Sequence, residues 1–165
     1  VFYVQERFGR KGKKFKLLKF RSMHADAEER LEAHLQTYPE KMKEWEKYRK
    51  LKSGDPRVTR VGKFLRKHSL DELPQLLNVL KREMNLVGPR PYIMEELKEL
   101  ESVKAILLQV KPGMTGLWQI SGRSKLPFKE RLNLDEYYLR NWSLWLDIVI
   151  LLKTVKVFIS GDGAY

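Results

Sequence analysis

The hydrophobic positions fall into short runs with different periods. Val1-Phe2-Tyr3-Val4-Gln5 and the run from Phe15 to Phe20 read as two short strands around a turn at Gly9-Arg10-Lys11-Gly12, which predicts a β-hairpin. From Asp26 to Lys50 charge dominates, and Leu31, Leu35, Met42, Trp45 and Tyr48 leave only thin apolar stripes at helical spacing. Pro39 divides this segment into two helices. Residues 26–50 are thus expected to be a helical hairpin or insertion with a solvated outer face and no catalytic role.

Ser53-Gly54-Asp55-Pro56 is a turn, followed by a basic segment from Arg57 to Lys67. After Ser69, the positions Leu73, Leu76, Leu77 and Leu80 form one apolar helical face. Tyr92 to Val110 predicts a helix with Leu97, Leu100, Ile106 and Leu107 inward. Lys111 to Gly116 reads as a loop, Leu117 to Ser121 as a strand, and Pro127 to Arg140 as a helix with proline at its start. The stretch from Trp142 to Ile159 is strongly apolar, but Asp147, Lys153 and Lys156 make it a poor spanning helix. Trp142, Trp145 and the lysines suit a membrane interface; a buried core helix fits the periodicity equally well.

The 165 residues make one domain's worth of chain, and 42% hydrophobic content supplies a core. No cysteine is present, which excludes disulfides and thiolate metal sites. The net charge of +12 calls for an anionic partner: nucleic acid, an anionic membrane surface or phosphorylated substrates. No run of ~20 clean apolar residues spans a bilayer. A first residue of Val1 is what a fragment or a processed form would show.

Candidate chemistry centres on Ser69-Leu70-Asp71-Glu72, with Arg66-Lys67-His68 before it and Gly88-Pro89-Arg90-Pro91 after it. Ser69 and Glu72 have capping-box spacing, and acids in a first helical turn complement the macrodipole, so plain capping accounts for the motif alone. Adjacent helical residues point in different directions, however, so Asp71 and Glu72 are free to do different jobs. A carboxylate kept ionised at a helix start is a competent nucleophile toward phosphorus. Bringing it to a phosphate costs of order 4 kcal/mol at roughly 4 Å for an effective dielectric near 20. A divalent cation on Glu72 and the guanidinium forks of Arg66, Arg90 and Arg123 would offset that repulsion. Taken singly, each arginine reads equally as a surface residue, and His68 as a helix-entry residue. No His/Asp/Glu spacing matches a zinc site.

Six motifs occur in order: Lys19-Phe20-Arg21-Ser22-Met23, Asp55-Pro56-Arg57-Val58-Thr59-Arg60-Val61-Gly62, Ser69 to Gln75, Leu86 to Pro91, Lys111 to Gln119, and Ser121-Gly122-Arg123. In this series the chain resembles the bacterial sugar transferase family, the monotopic polyprenyl-phosphate phosphoglycosyl transferases, along essentially its whole length. The resemblance implies transfer of sugar-1-phosphate from a UDP-sugar to polyprenyl (undecaprenyl) phosphate, with release of UMP through a phosphosugar-aspartyl intermediate. The product would initiate a cell-surface glycan. Asp71 would be the nucleophile and Glu72 the Mg²⁺ ligand. Arg66, Arg90 and Arg123 would meet phosphates or the nucleotide, and Asp135 and Asp147 would help to organise the site. The implied fold is α+β: a helix-dominated single catalytic domain over residues 1–165, with a short β-hairpin and an interfacial, amphipathic C-terminal helix. It would be monotopic, on the cytoplasmic face of the bacterial inner membrane. The family's hydrophobic re-entrant helix would precede Phe2-Tyr3 and is missing from this chain. The 26–50 insertion and the Gly163-Ala164-Tyr165 ending resemble the longer members. The rival readings are a basic nucleic-acid-binding module, for which no recognition signature is present, and a non-catalytic peripheral membrane scaffold, which has no use for the Asp-Glu pair. The transferred sugar and the oligomeric state stay open, a homo-oligomer included.

Overall fold

The computed structural model describes residues 1–98 and 101–160. Leu100 and the Gly163-Ala164-Tyr165 ending therefore lie outside the described residues. The expected hairpin forms from β1 (Phe2–Phe8) and β2 (Lys14–Phe20), antiparallel from Phe2 opposite Phe20 to Phe8 opposite Lys14. Pro39 ends the first insertion helix as expected, giving α1 (Ala27–Thr37) and α2 (Pro39–Tyr48). The basic segment is itself partly helical: α3 (Arg60–Lys67) starts at Thr59, whose side chain accepts a hydrogen bond from the Gly62 amide at 2.9 Å.

The dyad segment is a one-turn 3₁₀ helix, Leu70–Glu72, that leads through Leu73 and Pro74 into α4 (Gln75–Leu80). The region expected to be one helix from Tyr92 to Val110 contains α5 (Met94–Lys98) and α6 (Glu101–Leu107), and Leu97 and Leu107 are buried there as expected.

Two expectations are corrected around Gly113. The expected loop contains a strand, β4 (Gly113–Thr115), parallel to β3 (Asn85–Val87), and the expected strand is a short helix, α7 (Leu117–Ser121). Leu117-Trp118-Gln119-Ile120 is too short for its pattern to separate strand from helix, and the chain entering it packs on Gly88, where a Cβ on Gly116 would lie 2.3 Å from the carbonyl oxygen. A Cβ on Gly113 would lie 2.1 Å from the Gly88 amide nitrogen, so the two motif glycines exist to let β3 and β4 approach.

Two long helices close the fold, α8 (Phe128–Arg140) and α9 (Leu144–Ser160). One apolar core joins Tyr92, Leu97, Leu107 and Phe128; a second joins Phe15, Leu17 and Met84; a third joins Val87, Tyr138 and Ile150. The fold is thus α+β and helix-rich, with two small sheets.

The tail helix is buried along one side and exposed along the other. Ile150 is fully buried and Thr154 is hydrogen-bonded to Thr115, whereas Leu144, Trp145, Leu152 and Val155 are exposed. Among the described residues, no helix is long and apolar enough to cross a membrane.

The apolar face read over Leu73, Leu76, Leu77 and Leu80 is present, and it faces outward. Leu73, Leu76, Leu77 and Leu80 are exposed, and Asp71, Gln75 and Asn78 are buried. Asn78 fixes this orientation. Its Oδ1 accepts from the Leu18 amide, and its Nδ2 donates to the Lys16 carbonyl and to Glu83. These bonds lock α4 to strand β2 through polar groups, and the leucines face outward.

Candidate active site

Ser69 has φ +51°, a left-handed conformation that disfavours a regular helix start. The capping box expected from Ser69 and Glu72 is therefore absent. The Ser69 hydroxyl instead accepts a hydrogen bond from Nη2 of Arg123, itself at φ +52°. Two left-handed residues from distant segments thus meet beside the dyad. Backbone strain of this kind is costly and collects at functional sites.

Glu72 is turned toward Lys19 of β2, whose Nζ lies 2.7 Å from Glu72 Oε1. Burial alone would raise the Glu72 carboxyl, but Lys19 and, further out, Lys50 and Arg90 hold it at about 2. Glu72 is thus an ionised acceptor at neutral pH. Asp71 is buried, and its carboxyl is pushed up by that burial and by the adjacent Glu72 charge, against the pull of Lys19 and Arg66. The dyad stands on a 3₁₀ turn rather than on an α-helix N-terminus, and the Asp71 carboxyl lies above its ordinary value, with burial the largest cause. A desolvated carboxylate is the more reactive nucleophile once it is deprotonated.

Arg66 is fixed by a 2.9 Å hydrogen bond from its Nε to Ser22 Oγ. That bond ties the segment just before the dyad to Ser22 of the first motif. Its charge acts on both Asp71 and Glu72, and Arg123 also acts on both. Arg90 acts on Glu72 from the loop after β3. Asp135 holds that loop. Its Oδ2 accepts from the Arg90 amide at 3.1 Å and from the Tyr92 hydroxyl at 2.6 Å, and burial raises its carboxyl to about 7. The structure therefore gathers Arg66, Asp71, Glu72, Arg90 and Arg123, with Asp135 acting through Arg90. Asp147 is not gathered with them: it accepts from the Tyr138 hydroxyl and from Trp142 Nε1, and so clamps the junction between α8 and α9.

Four further side chains belong to the site's surroundings, although no role was read for them in the sequence. Lys19 lies in a quoted motif but carries no signature of its own. Lys50 is the last residue of the insertion expected to be inert. Arg131 is buried within α8, and Trp118 sits on the segment taken as a strand. Only their three-dimensional convergence reveals them.

Among the described residues, no cluster of three or more His, Cys, Asp or Glu side chains is assembled. A magnesium ion does not need one, because it is commonly bound by one or two carboxylates together with substrate phosphates. Ionised Glu72 beside Asp71 fits that mode.

A cavity of about 190 Å³ opens next to the dyad. Its walls are mostly apolar, with Leu76, Leu86, Met114, Ile120 and Leu151, and Ser69, Glu72 and Arg123 form its polar end. An apolar trough thus ends on Arg123 and Glu72.

The model of the bacterial sugar transferase family matches residues 1–161. This chain belongs to the bacterial sugar transferase family. It is 53% identical, over 163 residues, to a UDP-galactose-lipid carrier transferase of Erwinia amylovora, covering 99% of this chain and 34% of that protein. Against the undecaprenyl-phosphate galactose phosphotransferase of Salmonella typhimurium it is 52% identical, covering 100% of this chain and 34% of the relative. Against the exopolysaccharide production protein ExoY of Rhizobium meliloti it is 47% identical, covering 100% and 73%. The chain therefore spans about a third of the length of the first two relatives. Two contacts just described join quoted motifs: Lys19 with Glu72, and Gly88 with Gly113.

Proposed function

We propose that this sugar transferase moves a sugar-1-phosphate from a UDP-sugar to a polyprenyl phosphate. The observation that carries the reading is the placement of a desolvated carboxylate, Asp71, beside an ionised Glu72 and within a ring of Lys19, Arg66 and Arg123. The Asp71 oxygen attacks the β-phosphorus of the donor. The bond from that phosphorus to the bridging oxygen breaks, and UMP leaves with its electron pair. An oxygen of the polyprenyl phosphate then attacks the same phosphorus, and the aspartyl–phosphorus bond breaks. The polyprenyl-diphosphate sugar leaves, and Asp71 is restored as a carboxylate.

The arginines and Lys19 offset the repulsion between the attacking anion and the phosphates. Arg66 and Arg123 are held in place by Ser22 and Ser69, so little ordering is needed when a phosphate arrives. Glu72 would hold Mg²⁺ together with the donor phosphates, and the ion supplies further charge neutralisation there. The apolar trough accommodates the first isoprene units of the acceptor and delivers its phosphate to Arg123. The exposed leucines of α4 and the outer face of α9 rest on the cytoplasmic face of the inner membrane, helped by the basic surface.

The test uses the full-length parent enzyme with a UDP-sugar and Mg²⁺ but no acceptor. Mass spectrometry is expected to find one hexose phosphate on the peptide carrying Asp71, and adding polyprenyl phosphate is expected to discharge it. Unmodified peptide during active turnover would sink the covalent route.

A further inference from the structure

Three cations from three separate elements converge on the ring of Trp118. Lys50 Nζ lies 5.9 Å from the ring centroid, Arg90 Cζ 5.8 Å and Arg131 Cζ 5.7 Å. An indole face rewards a neighbouring cation by roughly 0.5–2 kcal/mol, which does not account for crowding three like charges. Burial and the mutual repulsion of this group lower Lys50 well below its ordinary value, and Arg131 falls to about 10 from burial and Arg90.

Among the described residues, three acids near Arg90 and Trp118 have other partners as well. Glu96 accepts from Arg90 and the Ile93 amide and lies against Arg7, and Glu72 pairs with Lys19. Asp135 holds Tyr92 and the Arg90 amide. Meanwhile Nε of Arg90, Nε of Arg131 and Nε1 of Trp118 are buried donors without an acceptor among the described residues. Arg131 and Trp118 are only 3% and 7% exposed. Buried unsatisfied donors of this kind are rare and need an explanation.

We propose that Lys50, Arg90 and Arg131, gathered around Trp118, form a second anion subsite beside Glu72 that takes the phosphate of the nucleotide leaving group. The assignment rests on the transferase reading above. A nucleotide phosphate provides several acceptor oxygens for the buried Nε of Arg90, Nε of Arg131 and Nε1 of Trp118. α7 separates this subsite from the acceptor trough, because Gln119 and Ile120 line the trough while Trp118 faces the cations. Glu72 is common to both surroundings. Donor nucleotide and lipid acceptor would thus approach the dyad from different sides.

The insertion gains a role from this. Arg131 donates to the Tyr48 carbonyl at the end of α2, and Leu51 is buried just beyond, so Lys50 is delivered to the site by an anchored segment. Lys50 is a binding residue here and is assigned no part in bond making.

The experiment uses the full-length enzyme in detergent, comparing wild type with Lys50→Met and Lys50→Arg. UMP, inorganic phosphate and polyprenyl phosphate are titrated separately by calorimetry, and KM values are measured for donor and acceptor. Loss of one charge-assisted contact is expected to weaken UMP binding and raise the donor KM by about tenfold to a hundredfold in Lys50→Met. The acceptor KM should stay close to wild type, and Lys50→Arg should recover most of the loss.

UMP binding unchanged in a folded Lys50→Met variant would overturn the proposal. So would a shift confined to the acceptor KM, or an effect on inorganic phosphate alone, because these place a lipid phosphate or a free phosphate in the subsite. A measurement without mutation covers the case of a variant that does not fold: UMP is expected to protect Lys50 from a small amine-acylating reagent, and equal labelling with and without UMP overturns the assignment. Nucleotide binding needs no turnover. UMP binding with Lys50 protection but no UMP release from any UDP-sugar would sink the transferase reading and leave the subsite standing.

Discussion

In the insertion, the apolar positions of α1 turn inward: Leu35 is buried, while Glu28, Glu29 and Arg30 are exposed. Eleven residues past the insertion's end, at Val61, the sense begins to reverse. Val61 and Phe64 of α3 are exposed, and α4 presents Leu76, Leu77 and Leu80 to the outside at 43%, 48% and 78% while burying Gln75 and Asn78. Both regions are amphipathic with the same period. They differ in what holds them down: α1 is packed by a leucine, whereas the dyad segment is tied by hydrogen bonds from Asn78, Ser69 and Arg66. Burying a leucine side chain contributes about 1.5–3 kcal/mol, so an outward leucine face forgoes stabilisation and marks a surface with another use.

The largest effect expected from this contrast is on chemistry. Asp71→Asn should lower UMP release by about 10³-fold or more. Its thermal midpoint at neutral pH should not fall, because burial and Glu72 already oppose the Asp71 charge. The attacking form is the deprotonated one, and the Asp71 carboxyl is raised. The wild-type rate should therefore decline, as pH is lowered, at values above the ordinary aspartate pKa of ~3.9. A pH–rate profile of the single-turnover step checks this, and an acid limb at or below the ordinary value would contradict the desolvated nucleophile.

Asn78→Ala tests the polar anchor. The side chain is fully buried and makes three hydrogen bonds, at 3.1, 2.8 and 2.7 Å, to Leu18, Lys16 and Glu83. Removing it strands a backbone amide and a carbonyl, at a cost of about 2–4 kcal/mol read from the urea midpoint. A loss under ~1 kcal/mol would mean that the leucines, not the asparagine, secure α4.

These two variants also mark how far the sequence could be read. The hairpin, the Pro39 break and α8 were legible because strand alternation, proline and helical period are local signals. Charge pattern picks out the Asp-Glu pair and three arginines, and in the structure the charges of Arg66 and Arg123 act on both acids while that of Arg90 acts on Glu72. The sense of α4 was not legible: a period gives a face, and only the partner of Asn78, some sixty residues earlier, decides which way it turns. Gly88 against Gly113 is a contact of the same kind, and without it β4 reads as loop and α7 as strand. Lys50, Arg131 and Trp118 lie far apart in sequence, and nothing local marks any of them.

Asp135 offers a smaller effect with a definite sign. Its folded carboxyl stands at about 7, above its unfolded value of ~3.9. The folded state thus binds the proton more tightly. The stabilisation from this group is fully present below the unfolded pKa and is lost as pH rises toward 7, by up to about 1.4 kcal/mol per pH unit. Asp135→Asn keeps an acceptor for Tyr92 and the Arg90 amide and cannot titrate. Stability measured at several pH values should show the wild type losing ground to the variant between pH ~4 and 7. A constant difference across that range would mean that Asp135 is ionised throughout.

The smallest expected change in stability sharpens the contrast most. In Leu76→Gln, Leu77→Gln and Leu80→Gln the replaced side chains are already exposed, so each should shift the unfolding free energy by about 0.5 kcal/mol or less. The same substitutions on a core-facing helix would cost about 2–5 kcal/mol each. Function should respond differently from stability. Leu76 lines the trough that ends at Arg123, so Leu76→Gln should raise the acceptor KM severalfold while the donor KM holds. Leu77 and Leu80 do not line that trough and should act only through attachment to lipid. An unfolding free energy from urea titration that drops by several kcal/mol for Leu77→Gln would place this face in a core, and the inverted helix beside the dyad would have to be abandoned.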